Sequence, residues 1–281
     1  MNQIDLHIHS HYSDGSDSIP ELVEKIKSLG IKIFALTDHD TVAGCEEVKK
    51  ILPSDITFIP SVELTCREDW LKCHILGYNC DYNNKTLLDL IEKGKKLRRQ
   101  KLETRIKYLE EVWDIELTDD ELSWLYSRKS VVKTHIANIL VKRGLASDNV
   151  SAMQKYLDGC KSGDTRFTGK EAINAIVSAG GIPIWAHPLG GEGEIHIAPD
   201  EFYKRYEVLK NIGIKGLECH YSRYTKKEAD FLVDFAKRNN LFITGGSDYH
   251  GTNKDIPLGK LNVENTPVNK SEFSILKAFG V

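Results

Sequence analysis

Asp5-Leu6-His7-Ile8-His9 ends the first apolar run of the chain on two imidazoles. Four later stretches close in the same way: Thr37-Asp38-His39-Asp40, Ser61-Val62-Glu63, Trp185-Ala186-His187-Pro188 and Gly246-Ser247-Asp248-Tyr249-His250. Side chains from so many separate segments meet only where one architecture gathers strand ends together. A barrel of alternating strands and helices does this, with its chemistry on the loops after the strands' C-terminal ends.

Outward from these stretches, the order of helix, Gly stop, apolar strand and loop repeats several times, which predicts a mostly parallel α/β sheet or barrel. Strands are expected at 4–8, 31–37, 57–61, 73–78, 182–186, 216–219 and 241–244. Helix starts are marked by capping boxes at Ser18 with Glu21, Thr118 with Glu121, Thr168 with Glu171 and Thr225 with Glu228, in which hydroxyl and carboxylate satisfy each other's orphan backbone donors. Pro20 falls in a first turn, where a missing N–H costs little. From about residue 87 to 165 the rhythm changes. Leu87, Leu90, Ile91, Leu97, Leu102, Ile106 and Leu109 recur at helical spacing between Lys, Arg and Glu. This predicts a helical insertion that caps the C-terminal face, between barrel parts at 1–86 and 166–281. The basic stretch 93–101 reads first as a solvated helix face.

Length and composition agree with one such barrel. A chain of 281 residues, 41% hydrophobic and 28% charged, buries a full core without a second domain. A net charge of -3 gives no global basic field, which argues against avid binding to long nucleic acid and leaves room for a local basic cleft. No apolar run is long enough to span a bilayer and no leader pattern is seen, so cytoplasmic residence is expected, with no membrane and no obligate protein partner. The six cysteines include no C-x-x-C pair and read as reduced core fillers.

His7 and His9, two apart on a strand, project from one face and can chelate one ion. Surface or core histidines explain an isolated H-x-H equally well. Asp14 follows in a polar loop, and Asp40 reads as a cap for the next helix. Glu63 closes an apolar run, where an unpaired carboxylate would be costly; a salt bridge or a bridging metal carboxylate explains it. His74 opens His-Ile-Leu-Gly-Tyr, and His187 precedes Pro188, which favours extended backbone. Asp248 and His250 follow Gly245-Gly246, glycines expected to let backbone approach whatever the site holds. His220 is expected to face the same mouth and His196 to be exposed. Nine candidate ligands with N and O donors and no thiolate exceed one ion. They fit two or three divalent metal ions, Mn²⁺, Zn²⁺ or Fe²⁺.

In this order the motifs resemble the polymerase and histidinol phosphatase (PHP) family of metal-dependent phosphoesterases. The resemblance rests on Asp-Leu-His-Ile-His-Ser with Asp14, Leu-Thr-Asp-His-Asp, Val-Glu, His-Ile-Leu-Gly, Ala-His-Pro and Gly-Ser-Asp-Tyr-His-Gly. It implies a distorted (β/α)7 barrel. It also implies one ion on His7, His9, Glu63 and Asp248, a second on Glu63, His74 and His187, and a third on Asp14, His39 and His250. The insert is similar to that of stand-alone members acting on 3′,5′-nucleoside bisphosphates or on the 5′ end of short RNA. Those members carry Arg where this chain has Lys133 and Asn138, and a different continuation from 189 to 193.

The expected function is hydrolysis of a phosphomonoester of a small phosphorylated substrate, such as a 3′,5′-nucleoside bisphosphate, by metal-hydroxide attack. Lys133, with Arg98 or Lys101, is expected to hold a second phosphate, and Tyr221 and Arg223 are further candidates unless they lie in a solvated loop. His135 joins the substrate side or is a buried capping histidine. Alternatives are a histidinol phosphate or cyclic sugar phosphate hydrolase, a short-RNA exonuclease acting on an oligonucleotide, a metal-dependent amidohydrolase and a noncatalytic sensor.

Overall fold

Residues 2–128, 130–161, 166–192 and 194–281 are described by the structure, a computed structural model. Seven strands pair in chain order: β1 (Ile4–Ile8), β2 (Ile33–Leu36), β3 (Thr57–Glu68), β4 (Leu71–Tyr78), β5 (Ile182–Trp185), β6 (Gly216–Tyr221) and β7 (Phe242–Gly246). The sheet curls until its first and last strands meet. Asp248 N donates to His7 O at 2.8 Å and His9 N to Tyr249 O at 2.9 Å. A Cβ on Gly246 would stand 2.3 Å from both N and Cβ of His7. Gly246 is therefore needed for strand to approach strand, and Gly245 abuts His220 in the same way.

Four pairings are parallel, but β4 runs against both neighbours. The sequence reading stopped the third strand at residue 61. It continues to Glu68, turns at Asp69 (φ 48°) and Trp70, and returns as a hairpin. A turn this short permits only antiparallel pairing, because a parallel partner needs a long crossover.

The alternation of β1 is broken where it matters. Leu6 packs with Ile33, Ala35 and Ile59, whereas Ile8 packs with Phe34, Leu36 and the flanking helices. Two residues apart in a regular strand, they would share a face. The register slips between Asp5 and Ile8, a bulge of the kind that re-aims side chains beside functional sites. It lets Leu6 fill the apolar interior while His7 and His9 turn toward the mouth above it.

Helices α1 (Ile19–Ser28), α2 (Ala43–Ile51), α7 (Gly169–Ser178), α8 (Pro199–Ile212) and α9 (Lys226–Arg238) cover the sheet. Between β4 and α7 come α3 (Lys85–Trp113), α4 (Asp119–Ser127), α5 (Lys133–Lys142) and α6 (Asn149–Tyr156). All four capping boxes form, each with its glutamate accepting from the N-cap backbone at 2.8 Å; such caps contribute about 1 kcal/mol each. The α3–α6 segment has its own apolar cluster, in which Leu102, Ile106 and Leu109 meet Leu125, Ile136 and Leu140. The expected end of this segment at residue 165 lies outside the described residues, as does Gly193.

All six cysteines are free, and five of them are buried. Cys66 and Cys73 stand opposite each other in the hairpin with sulfurs 3.5 Å apart.

Candidate metal centre

Glu63 lies inside β3 and not at a strand end. It reaches the mouth because the loop after β2 keeps pairing with β3: Asp40 N donates to Glu63 O at 2.9 Å and Glu63 N to Asp38 O at 3.3 Å. Five imidazoles converge on its carboxylate. Oε2 is 3.1 Å from Nε2 of both His7 and His9 and 3.3 Å from His39 Nδ1. Oε1 is 2.9 Å from His74 Nδ1 and 3.2 Å from His187 Nε2. Asp248 Oδ1 stands 3.5 and 3.4 Å from the same two nitrogens of His7 and His9. Asp14 faces His250 Nε2 at 3.1 Å and His39 Nε2 at 3.9 Å. All nine residues expected at the mouth are thus brought together, and three ligand groups share members: His7, His9, Glu63 and Asp248; His9, Asp14, His39 and His250; and His39, Glu63 and His74.

The chemistry of these donors fits cations. Glu218 accepts at His7 Nδ1 (2.8 Å) and Asp248 O at His250 Nδ1 (2.8 Å), which in a neutral ring leaves the Nε2 lone pair of each aimed inward. Those lone pairs meet carboxylate lone pairs. Asp14 Oδ1, His39 Nδ1 and His250 Nε2 are buried without a hydrogen-bond partner, although buried polar atoms are almost always satisfied. Divalent ions with N and O preference would satisfy the whole set. Burial pushes the Glu63 carboxyl up, yet the fields of His39, His7 and His74 outweigh it and hold it well below the usual carboxylate range. Burial likewise pushes His7 down, and Glu218, Glu63 and Asp248 outweigh it and raise the ring well above its ordinary value.

A ring of carboxylates that the sequence reading passed over holds these ligands in place. Glu218 grips His7 and also accepts from His187 N at 2.7 Å. That bond fixes His187 at φ 30°, so its backbone is not extended as the Pro188 rule predicts; such local strain is typical of functional sites. Asp38 accepts from Ser10 N, Ser10 Oγ and Ser13 Oγ. Asp5 accepts from Ser247 N, Ser247 Oγ and Gly259 N, and burial pushes its carboxyl up to about 6. Tyr221 and Lys254 donate to Asp248 Oδ2 at 2.9 and 2.8 Å. Glu218 could have been found: it interrupts the apolar run Leu217 to Cys219 as Glu63 interrupts its own. Lys254, after β7, carried no such signal.

Asp40 does not cap α2, whose N-cap is Val42. It is buried at φ 48°, and its carboxylate accepts from Thr65 N at 2.8 Å and from Arg98 Nε at 2.6 Å. Arg98 and Lys101 line a cleft of about 210 Å³ together with Asp14, His39, His74, Arg105, Lys133 and Arg166. Lys133 is salt-bridged to Asp158. His135 is buried, accepts from Val132 N at 3.0 Å as part of its helix cap, and does not line the cleft. Tyr221 stands behind Asp248, and Arg223 is exposed away from the cleft. His220 turns to Phe273 and Glu272 instead of the mouth, and His196 is half-buried on Glu228. Arg105 extends the α3 stripe of Arg98 and Lys101, a spacing visible in the sequence; Arg166 was not legible there.

The PHP domain model matches residues 5–164, more than half of the chain. A 5′-3′ exoribonuclease of Haemophilus influenzae is 31% identical over 91% of this chain and 93% of its own. A 3′,5′-nucleoside bisphosphate phosphatase of Chromobacterium violaceum is 26% identical over 89% and 88%. The solved structure of a Chromobacterium violaceum protein described as an amidohydrolase with bound sulfate is 25% identical, covers 90% of this chain and 89% of its own, and superposes with a TM-score of 0.80. No helix among the described residues is long and apolar enough to cross a membrane. Fold, converging donors and family model agree: the chain belongs to the PHP family of metal-dependent phosphoesterases.

Proposed function

We propose that His7, His9, Asp14, His39, Glu63, His74, His187, Asp248 and His250 hold two or three divalent cations, and that the enzyme releases phosphate from a small phosphomonoester bearing a second anionic group, such as a 3′,5′-nucleoside bisphosphate. When bound, such ions polarise phosphoryl oxygens and acidify water. The residues of the chain do the rest. Glu63 spans neighbouring ligand groups with its two oxygens, and Glu218 orients His7 and His187 through opposite oxygens. Cations of α3, with Arg166 before α7, neutralise the charge of the second anionic group.

One observation carries the reading: metal-ligand candidates Asp14, His39 and His74 line the same cleft as five cations. A phosphate ester matches both walls. A neutral amide would leave Lys101, Arg105 and Arg166 unmatched, which weighs against the amidohydrolase alternative. Past His74 the mouth opens into a further cleft lined by Lys72, Arg166 and Arg205. That space favours, as a second reading, trimming of short RNA.

Phosphate release by metal-loaded protein from 3′,5′-bisphosphates, mononucleotides, histidinol phosphate, cyclic phosphates and 5′-phosphorylated RNA tests the proposal. The bisphosphate is expected to give the highest kcat/KM. No release from any ester at full metal occupancy would overturn it.

A further inference from the structure

The five cleft cations are not equivalent. Arg98 is committed to the barrel: besides Asp40, it donates from Nη2 to Thr65 Oγ1 at 3.0 Å. Lys133 is committed to Asp158. Lys101, Arg105 and Arg166 have no salt bridge among the described residues, and Arg166 Nε is buried without a hydrogen-bond partner. Burial depresses all three, and Arg98 and Arg166 add to the effect at Lys101 and Arg105. Unpaired charge in a partly dehydrated wall is unfavourable unless something arrives to match it.

The two arginines come from separate elements that a glycine draws together. Gly94 sits inside α3, where glycine is less favourable than alanine. A Cβ there would stand 2.9 Å from Phe167 Cε1. The missing side chain lets α3 close on Phe167, and so brings Arg166 to the stretch of helix that carries Lys101 and Arg105.

We infer that Arg105 and Arg166 form the subsite for the substrate's second, non-reacting phosphate and set the preference for doubly over singly phosphorylated esters, while Arg98 and Lys133 shape the wall. This rests on the reading of the centre as a phosphoesterase. Guanidinium groups suit the task because they bind phosphate through paired N–H donors.

The test compares a 3′,5′-nucleoside bisphosphate with p-nitrophenyl phosphate on wild type, Arg105→Gln and Arg166→Gln. Each variant is expected to raise KM for the bisphosphate at least tenfold, with kcat within twofold and kcat/KM for p-nitrophenyl phosphate within twofold. An equal loss on both substrates, or an unchanged bisphosphate KM, would overturn the assignment. Calorimetric titration of metal-free protein with the bisphosphate supplies a readout independent of turnover, in which Arg105→Gln should bind at least tenfold more weakly and unchanged binding would refute the subsite. Wild-type turnover of p-nitrophenyl phosphate with none of the bisphosphate would sink the subsite and leave the phosphoesterase reading standing. Turnover of neither would sink that reading, and the titration would still decide the subsite.

Discussion

The mouth of the barrel and the helices beside it both crowd like groups into little space, and they manage the cost in different ways. At the mouth carboxylates brace two ligand candidates and the loops that carry others: Glu218 holds His7 and His187, Asp38 ties down Ser10 and Ser13 beside His9 and Asp14, and Asp5 fastens Ser247 beside Asp248. On the helical side Lys101, Arg105 and Arg166 face the cleft with no salt bridge among the described residues, since Asp40, the carboxylate nearest to hand, is already held by Arg98. The mouth is preorganised for cations that stay; the helical side is charged for an anion that comes and goes. Substitutions should therefore act on turnover in the first region and on substrate affinity in the second.

The sharpest break of that contrast is at Glu63. Glu63→Gln keeps the volume but removes the charge that five imidazoles share, and kcat/KM should fall by more than the roughly 100-fold that loss of a mere ligand support costs, with metal content per protein reduced in elemental analysis. His39→Ala should behave alike. Activity near wild type in either variant would mean that the centre is not where the chemistry happens.

Asp40 joins the two regions, and its loss should be felt as stability. Asp40→Ala leaves the largely buried Arg98 without its partner, a change that costs about 3 kcal/mol, read as a lower urea midpoint at unchanged slope. A shift below about 0.5 kcal/mol would show that α3 is held over the mouth by its apolar contacts alone. Next in size is Glu218→Gln. The amide can still meet one partner but cannot accept from both His7 and His187 as a charged group, and removing such a support typically lowers metal affinity or activity by about 10–100-fold. A variant with normal metal binding and normal kcat would demote Glu218 to a packing residue.

Much of this was legible in the sequence, for reasons that differ by residue. The strands showed because short apolar runs were bounded by Gly, Asp or Pro, and the four glutamate boxes marked helix starts because capping is local chemistry. The β3–β4 hairpin was lost because its outer half, from Thr65 to Lys72, is partly exposed and polar, so no apolar run advertises it. Asp40 was misread because a local rule, Asp before a helix, yielded to a tertiary one, the pairing with Arg98. Glu218 was available to the same cost argument that singled out Glu63. Lys133 stood out through the resemblance of the insert and Arg98 through its charge on the cap helix, and a linear sequence does not reveal that Asp158 and Asp40 already hold them.

The smallest expected effect is also the one that best separates the two regions, because it concerns affinity alone. Burial, reinforced by Arg166, Arg98 and Arg105 and opposed by Asp40, brings the Lys101 ammonium down to about 7. A phosphate in the cleft favours the charged form and raises that value in the complex. The contribution to binding is therefore fully present below the free-protein value and fades as pH rises from about 7 toward the value in the complex. KM for the bisphosphate should climb about three- to tenfold between pH 7 and 9, while the substrate stays at least about nine-tenths ionised, since its second ionisation lies at about pH 6. Arg stays charged throughout this range, so Lys101→Arg should flatten the profile without moving kcat. A wild-type KM that is level across the window would place Lys101 outside the reach of the bound anion and leave Arg105 and Arg166 to hold it alone.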